Sequence, residues 1–153
     1  MNIVALDPGY TETALVVWDL EAQRINKAAM FGNEDLLILL RNNPFSNRII
    51  CEMIGHYGTG MPAGKEVFET CVLIGRAKEA TIMHGGTFTT VMRQSVKAHL
   101  CGNPRAKDGN VRQALIDRLG APGRKKEPGQ TFGISGDLWS ALAVAIYAQD
   151  KNL

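Results

Sequence analysis

The chain has 153 residues, of which 45% are apolar and 21% charged, with a net charge of +2. That mixture suits one globular domain, residues 1–153, with a core of its own. No apolar run approaches the roughly 20 residues that a bilayer-spanning helix needs, so no membrane association is expected. The first residues lack a basic stretch followed by an apolar one, so no signal peptide is expected either. Three cysteines, Cys51, Cys71 and Cys101, stand far apart with no CxxC. That argues against a disulfide framework or a zinc site and for a reduced, cytoplasmic setting.

In chain order, Asn2-Ile3-Val4-Ala5-Leu6 reads as a short buried strand that stops at Asp7-Pro8-Gly9, since proline lacks a backbone donor and glycine permits a sharp turn. Ala14–Trp18 and Arg24–Phe31 continue it as an antiparallel meander. Asn33 is placed to cap a helix over Glu34–Arg41 that ends at Asn42-Asn43-Pro44. Arg48–Met53 is the fourth strand, with Glu52 near its end. Gly55–Gly64 is a glycine-rich loop carrying His56 and Tyr57. Lys65–Met83 has helical spacing, Thr87–Met92 is a β-branched fifth strand, and Arg93–Leu100 is a short helix. Asp108 is placed to cap a helix to Leu119. Residues 121–133 read as loop, and Asp137 opens a last helix with an alanine-rich body. Three antiparallel strands followed by helix-linked strands predict an α/β fold, a mixed sheet flanked by helices.

Charge is unevenly spread. Residues 1–92 hold 7 Lys/Arg and 10 Asp/Glu, residues 93–126 hold 9 and 2, and residues 127–153 hold 1 and 3. The block from Arg93 to Lys126 therefore has the form of a footprint for a polyanion, or of a solvated face with a basic loop.

Three acids stand at the ends of elements: Asp7, Glu52 and Asp137. Strand C-termini in an open α/β sheet line the usual ligand crevice. Carboxylates brought together there suit Mg²⁺ or Mn²⁺ rather than zinc, and paired metals are a standard device for phosphodiester hydrolysis. Each acid also has a plainer role open to it. Asp7 can start an Asx-turn and Asp137 can cap a helix, whereas Glu52, inside Ile-Ile-Cys-Glu-Met, needs a partner of some kind.

In order, the chain carries Asp7-Pro8-Gly9, Glu52 at a strand end, Arg93-Gln94-Ser95-Val96-Lys97, Ala106-Lys107-Asp108-Gly109-Asn110-Val111 and Asp137-Leu138-Trp139-Ser140-Ala141-Leu142-Ala143-Val144-Ala145. This series resembles the RuvC-like Holliday junction resolvases of the ribonuclease H-like fold. The chain's shortness and the Tyr57-Gly58 loop running into Gly64–Thr70 look like the bacteriophage versions. The resemblance implies a mixed five-stranded sheet and a homodimer, located in the cytoplasm (the host's, if viral). It implies an endonuclease that binds four-way or other branched DNA and resolves it by Mg²⁺-dependent phosphodiester hydrolysis, with Mn²⁺ able to substitute.

Asp7, Glu52 and Asp137 match three of that family's four acidic metal ligands. Lys97 and Lys107 match its functional lysines near the DNA. The family's last motif carries Asp-x-x-Asp, and here the second position is Ser140. Ser140 or Asp108 is then the candidate for the missing ligand, with capping the alternative for Asp108. A branched-DNA-binding protein whose cleavage is weakened or lost is the alternative function. Arg105, Lys107 and Arg112, with Arg118 beyond them, would add salt-dependent phosphate contacts. His56 and Tyr57 would stack on or wedge beside an unstacked base, unless Tyr57 is a loop anchor. The helix at 65–83 would supply the dimer face through Phe68, Cys71, Val72 and Gly75. An actin-like ATPase, which also opens with an Asp-x-Gly turn, is disfavoured because the chain is short and holds no second copy of the domain.

Overall fold

Alternation of buried positions organises the fold in a computed structural model that describes residues 1–42, 48–55 and 63–153. The strands are β1 (Asn2–Pro8), β2 (Glu12–Asp19), β3 (Arg24–Gly32), β4 (Arg48–Met53) and β5 (Thr87–Met92). They form one sheet in the order β3-β2-β1-β4-β5. β1–β2 and β2–β3 are antiparallel, while β4 runs parallel to both β1 and β5. This is the mixed five-stranded sheet expected from the sequence.

Side chains on a strand alternate between faces, and the sheet is covered on both. On one face Ile3, Ala5, Ala14, Val16, Trp18 and Ile50 pack against α5 (Leu138–Lys151), with Val96 of α3 (Arg93–Cys101) and Val111 and Leu115 of α4 (Asp108–Leu119) in the same cluster. On the other face Val4, Leu6, Leu15, Val17, Ile49 and Cys51 pack against α1 (Asn33–Asn42) and α2 (Lys65–Met83). The α5 body, Ala141–Ile146, is buried throughout. Its alanines let the helix approach the central strands closely. The one indole nitrogen buried beneath it, Trp18 Nε1, donates to Gln149 Oε1 at 2.7 Å.

Three local expectations change, while β1 ends at Pro8, within Asp7-Pro8-Gly9 as expected, its Asp7 and Pro8 paired with Ala14 and Thr13. Proline is tolerated there because it is the terminal residue of the strand. The Asn33 side chain does not cap α1. Its amide donates to the Gly9 carbonyl at 3.0 Å and its oxygen accepts from the Thr13 hydroxyl at 2.8 Å, so it pins the turn after Asp7. That turn requires glycine, since a Cβ on Gly9 would lie 2.7 Å from the Glu12 carbonyl oxygen. Asp108 is not the cap of α4 either. Lys107 occupies the N-cap position and Asp108 is the first helical residue. Finally, residues 121–133 are not all loop, because β6 (Gly123–Arg124) and β7 (Glu127–Pro128) form a small antiparallel hairpin.

Among the described residues no helix is long and apolar enough to cross a membrane. The three cysteines are free thiols.

Candidate active site

The register of β1 against β4 positions the first two acids. Ala5 is opposite Ile50 and Leu6 opposite Cys51. One residue further, Asp7 and Glu52 stand side by side on adjacent parallel strands. Both continue the face that carries Ala5 and Ile50, which is the face under α5. Neighbouring strands lie about 4.8 Å apart, so two carboxylates here share one small volume.

α5 brings the third acid. Asp137 precedes the helix with backbone angles that are already helical, and its side chain makes no capping hydrogen bond. Asp137, Ser140 and Ala143, spaced three apart and so on one helical face, all line a cleft of about 440 Å³. Glu52 lines it from β4, Arg93 and Lys97 from α3, and Asp108 and Arg112 from α4.

Electrostatics ties these groups together. Asp7 is pushed up to about 7, first by burial and then by the Glu52 carboxylate, with Asp137 adding to the same effect. Arg93 and a hydrogen bond from the Ser140 hydroxyl pull it part of the way back. Glu52 is also raised by burial, against the opposing pull of Arg93 and Lys97. Raised proton affinity is what like charges sharing a site produce. The side chain of Glu52 is 10% exposed, and its partner is Arg93, whose Nη1 donates to Oε1 at 3.2 Å. Arg93 Nη2 reaches on to Asp108 at 3.0 Å, and Lys97 Nζ meets the same Asp108 oxygen at 2.9 Å. These two cations hold Asp108 below the usual carboxylate range, Lys97 first. Asp108 is thus paired with Lys97 and Arg93 and does not cap α4.

The basic residues separate into two groups. Lys97 and Arg112 line the cleft, and Arg112 lies over the Trp139 ring at 5.3 Å, a cation–π contact that holds it at the rim. Arg105 and Lys107 are exposed on the segment leading into α4, outside the cleft wall. Arg118 is not available to DNA in the way its charge suggested, because it forms two hydrogen bonds with Asp150, at 2.6 and 2.7 Å. His56 and Tyr57 lie outside the described residues.

Sequence reasoning gave Arg93 no role of its own. The signal was there: β5 ends at Met92, paired with Met53, so the next residue must emerge at the strand edge beside Glu52.

Oxygen donors of this kind suit a hard divalent cation: Asp7 and Glu52 are held where burial penalises their charge, and the exposed Asp137 lines the cleft beside Glu52. The side chains are not gathered into a coordination shell, however. Among the described residues no three Asp, Glu, His or Cys groups are close enough to hold one ion. Glu52 is turned to Arg93 instead.

No family model matches the chain, and no curated protein sequence does. Solved structures do. The Thermus thermophilus RuvC structure is similar with a TM-score of 0.68 and 19% sequence identity, over 99% of this chain and 97% of that one. The chain shares the RuvC fold. T. thermophilus RuvC in complex with Holliday junction substrate is similar to the same degree, with a TM-score of 0.68 and 18% identity over 96% of this chain and 92% of that one.

Proposed function

We propose that the chain is a metal-dependent endonuclease that resolves Holliday junctions and other branched DNA. One observation carries the reading. Asp7 and Glu52 stand level on adjacent parallel strands, Glu52 shares a cleft with Asp137, Lys97 and Arg112, and both of those acids are near enough to Asp7 to raise its proton affinity. The RuvC fold, and a RuvC structure solved with a Holliday junction substrate, support the choice of four-way DNA.

Asp7, Glu52 and Asp137 would hold Mg²⁺, or Mn²⁺ in its place. The ion would activate water and neutralise charge on the scissile phosphate. Lys97 is poised to stabilise the negative charge that builds on the phosphate. Arg112, Arg105 and Lys107 would bind flanking phosphates without reading sequence. To hold such a cation Glu52 would exchange part of its contact with Arg93 and Asp7 would give up its proton, and a bound divalent charge would favour both changes.

A homodimer fits the exposed apolar side of α2, where Phe68 and Val72 are each 62% exposed. They lie four residues apart on one helical stripe that continues to Gly75. A large exposed apolar patch of this kind marks an interaction surface. Residence in the cytoplasm, and a bacteriophage-type member as the finer assignment, complete the reading.

The alternative, a protein that binds branched DNA and leaves it intact, has one observation in its favour. The position three after Asp137 is a serine, and its hydroxyl donates to Asp7 rather than adding a charge. Labelled four-way junction incubated with the protein and Mg²⁺ or Mn²⁺ separates the two. Paired nicks at symmetric positions support the nuclease. Shifted but uncut junctions leave only the binding protein.

A further inference from the structure

We propose that Arg93 is a resident cation of the cleft. It holds Glu52 in the way a second metal ion would, so that the site takes one divalent ion per chain. The inference rests on the nuclease reading above.

Arg93 is fixed at both ends of its guanidinium, with 3.2 Å to Glu52 and 3.0 Å to Asp108. Asp108 is locked in turn by Lys97 at 2.9 Å. The backbone brings Arg93 to this spot. β5 pairs with β4 up to Met92 opposite Met53, and α3 starts at the next residue, so Arg93 leaves the sheet edge beside the strand that carries Glu52. Arg93 also lowers the proton affinity of Asp7, so its charge is felt across the whole acid cluster.

The charge balance points the same way. Asp7, Glu52 and Asp137 supply three negative charges, and Asp108 is matched by Lys97. One guanidinium and one divalent ion neutralise the three carboxylates. A second divalent ion would leave an excess of positive charge, and the one further carboxylate in the cleft wall, Asp108, is already paired with Lys97 and Arg93. The side chain that faces Asp7 from α5 is Ser140, a neutral hydroxyl that is itself a donor.

A guanidinium can also supply the positive charge of a second ion. Both terminal nitrogens are taken by Glu52 and Asp108, so Arg93 acts on the phosphate through its charge, which is in place before the phosphorus becomes five-coordinate. Unlike a metal, it cannot be removed by a chelator.

Titration of the chelator-stripped full chain with Mn²⁺ tests this, with free Mn²⁺ read by electron paramagnetic resonance. The expected result for the natural chain is one ion, lost in Asp7→Asn. Arg93→Gln keeps a hydrogen-bonding amide against Glu52 and removes the charge. It should tighten the first ion about tenfold or more, since a lost unit charge beside a divalent ion matters that much even under water-like screening. Arg93→Gln combined with Ser140→Asp should bind two ions, and Arg93→Lys should stay at one. Circular dichroism confirms that each variant is folded.

Two ions on the natural chain overturn the proposal. So does an Arg93→Gln protein that binds Mn²⁺ as the natural chain does, and in that case an ion still lost in Asp7→Asn leaves the nuclease reading standing. If the natural chain binds no Mn²⁺ at all, both fail.

Discussion

Replacing Asp7 by Asn should stabilise the metal-free protein at alkaline pH while removing its activity. Asp7 has its carboxyl pushed up to about 7, from 3.8 in an unstructured chain. Between those values the folded state binds the extra proton, so stability falls as pH rises through that window and the full penalty is present above pH 7. A shift of about 3 units corresponds to about 4 kcal/mol at 1.36 kcal/mol per unit. Partial solvent access reduces that to about 2 kcal/mol.

Asn is isosteric and cannot ionise, so it escapes the penalty. It gives up part of the hydrogen bond from Ser140, which is made to the charged form. Urea denaturation in the presence of chelator, at pH 5 and pH 8, measures the difference. Asp7→Asn should gain about 1 kcal/mol relative to the natural chain on going from pH 5 to pH 8, since part of the penalty is already present at pH 5. Saturating Mg²⁺ should restore the natural chain and leave the variant unchanged. If the stability difference between the two proteins is the same at both pH values, Asp7 does not share its site with Glu52 in the way described.

Three other outcomes follow from the same geometry. Lys97→Ala should slow cleavage more than Lys107→Ala, because Lys97 lines the cleft while Lys107 lies outside it. Lys107→Ala should chiefly flatten the salt dependence of junction binding, by about one unit of slope for the single phosphate that Lys107 would neutralise, measured by fluorescence anisotropy over a salt series. Asp150→Asn should destabilise the fold by about 1 kcal/mol, because Asp150 links Arg118 of α4 and His99 of α3 to α5. Arg118 holds Asp150 down to about 2, so this contribution is present above about pH 4 and lost as pH falls through about 2, which acid denaturation of the two proteins checks. Phe68→Glu with Val72→Glu should convert a dimer into a monomer in analytical ultracentrifugation while the fold stays intact, since both residues are exposed on α2.

The elements that sequence reasoning located best are those with strong periodicity and clear punctuation. β4, α2 and β5 fall where the alternation and helical spacing put them. The pairing of Asp7 with Glu52 was legible because both sit at the end of a buried strand, and charges there need an explanation. The cap assignments failed for a common reason. Asn33 and Asp108 have the right residue type for helix starts, but tertiary partners compete for their side chains. Thr13 and the Gly9 carbonyl take Asn33, and Lys97 with Arg93 takes Asp108. Propensity at a cap is worth only about 1 kcal/mol, so hydrogen bonds or ion pairs of similar strength can take the side chain elsewhere. The β6–β7 hairpin was missed because two-residue strands carry no periodic signal. Arg118 was read as part of a basic block because linear charge density cannot show that Asp150, on another helix, neutralises it.

The central claim is that Asp7, Glu52 and Asp137 act together on a branched DNA phosphodiester. Single-turnover cleavage of a labelled four-way junction in Mg²⁺ tests it most directly, with Asp7→Asn, Glu52→Gln and Asp137→Asn run beside the natural chain and junction binding measured in parallel. The natural chain should cut, and all three variants should bind the junction yet leave it whole. A natural chain that leaves the junction intact, or any one of the three variants cutting at the natural rate, contradicts the account.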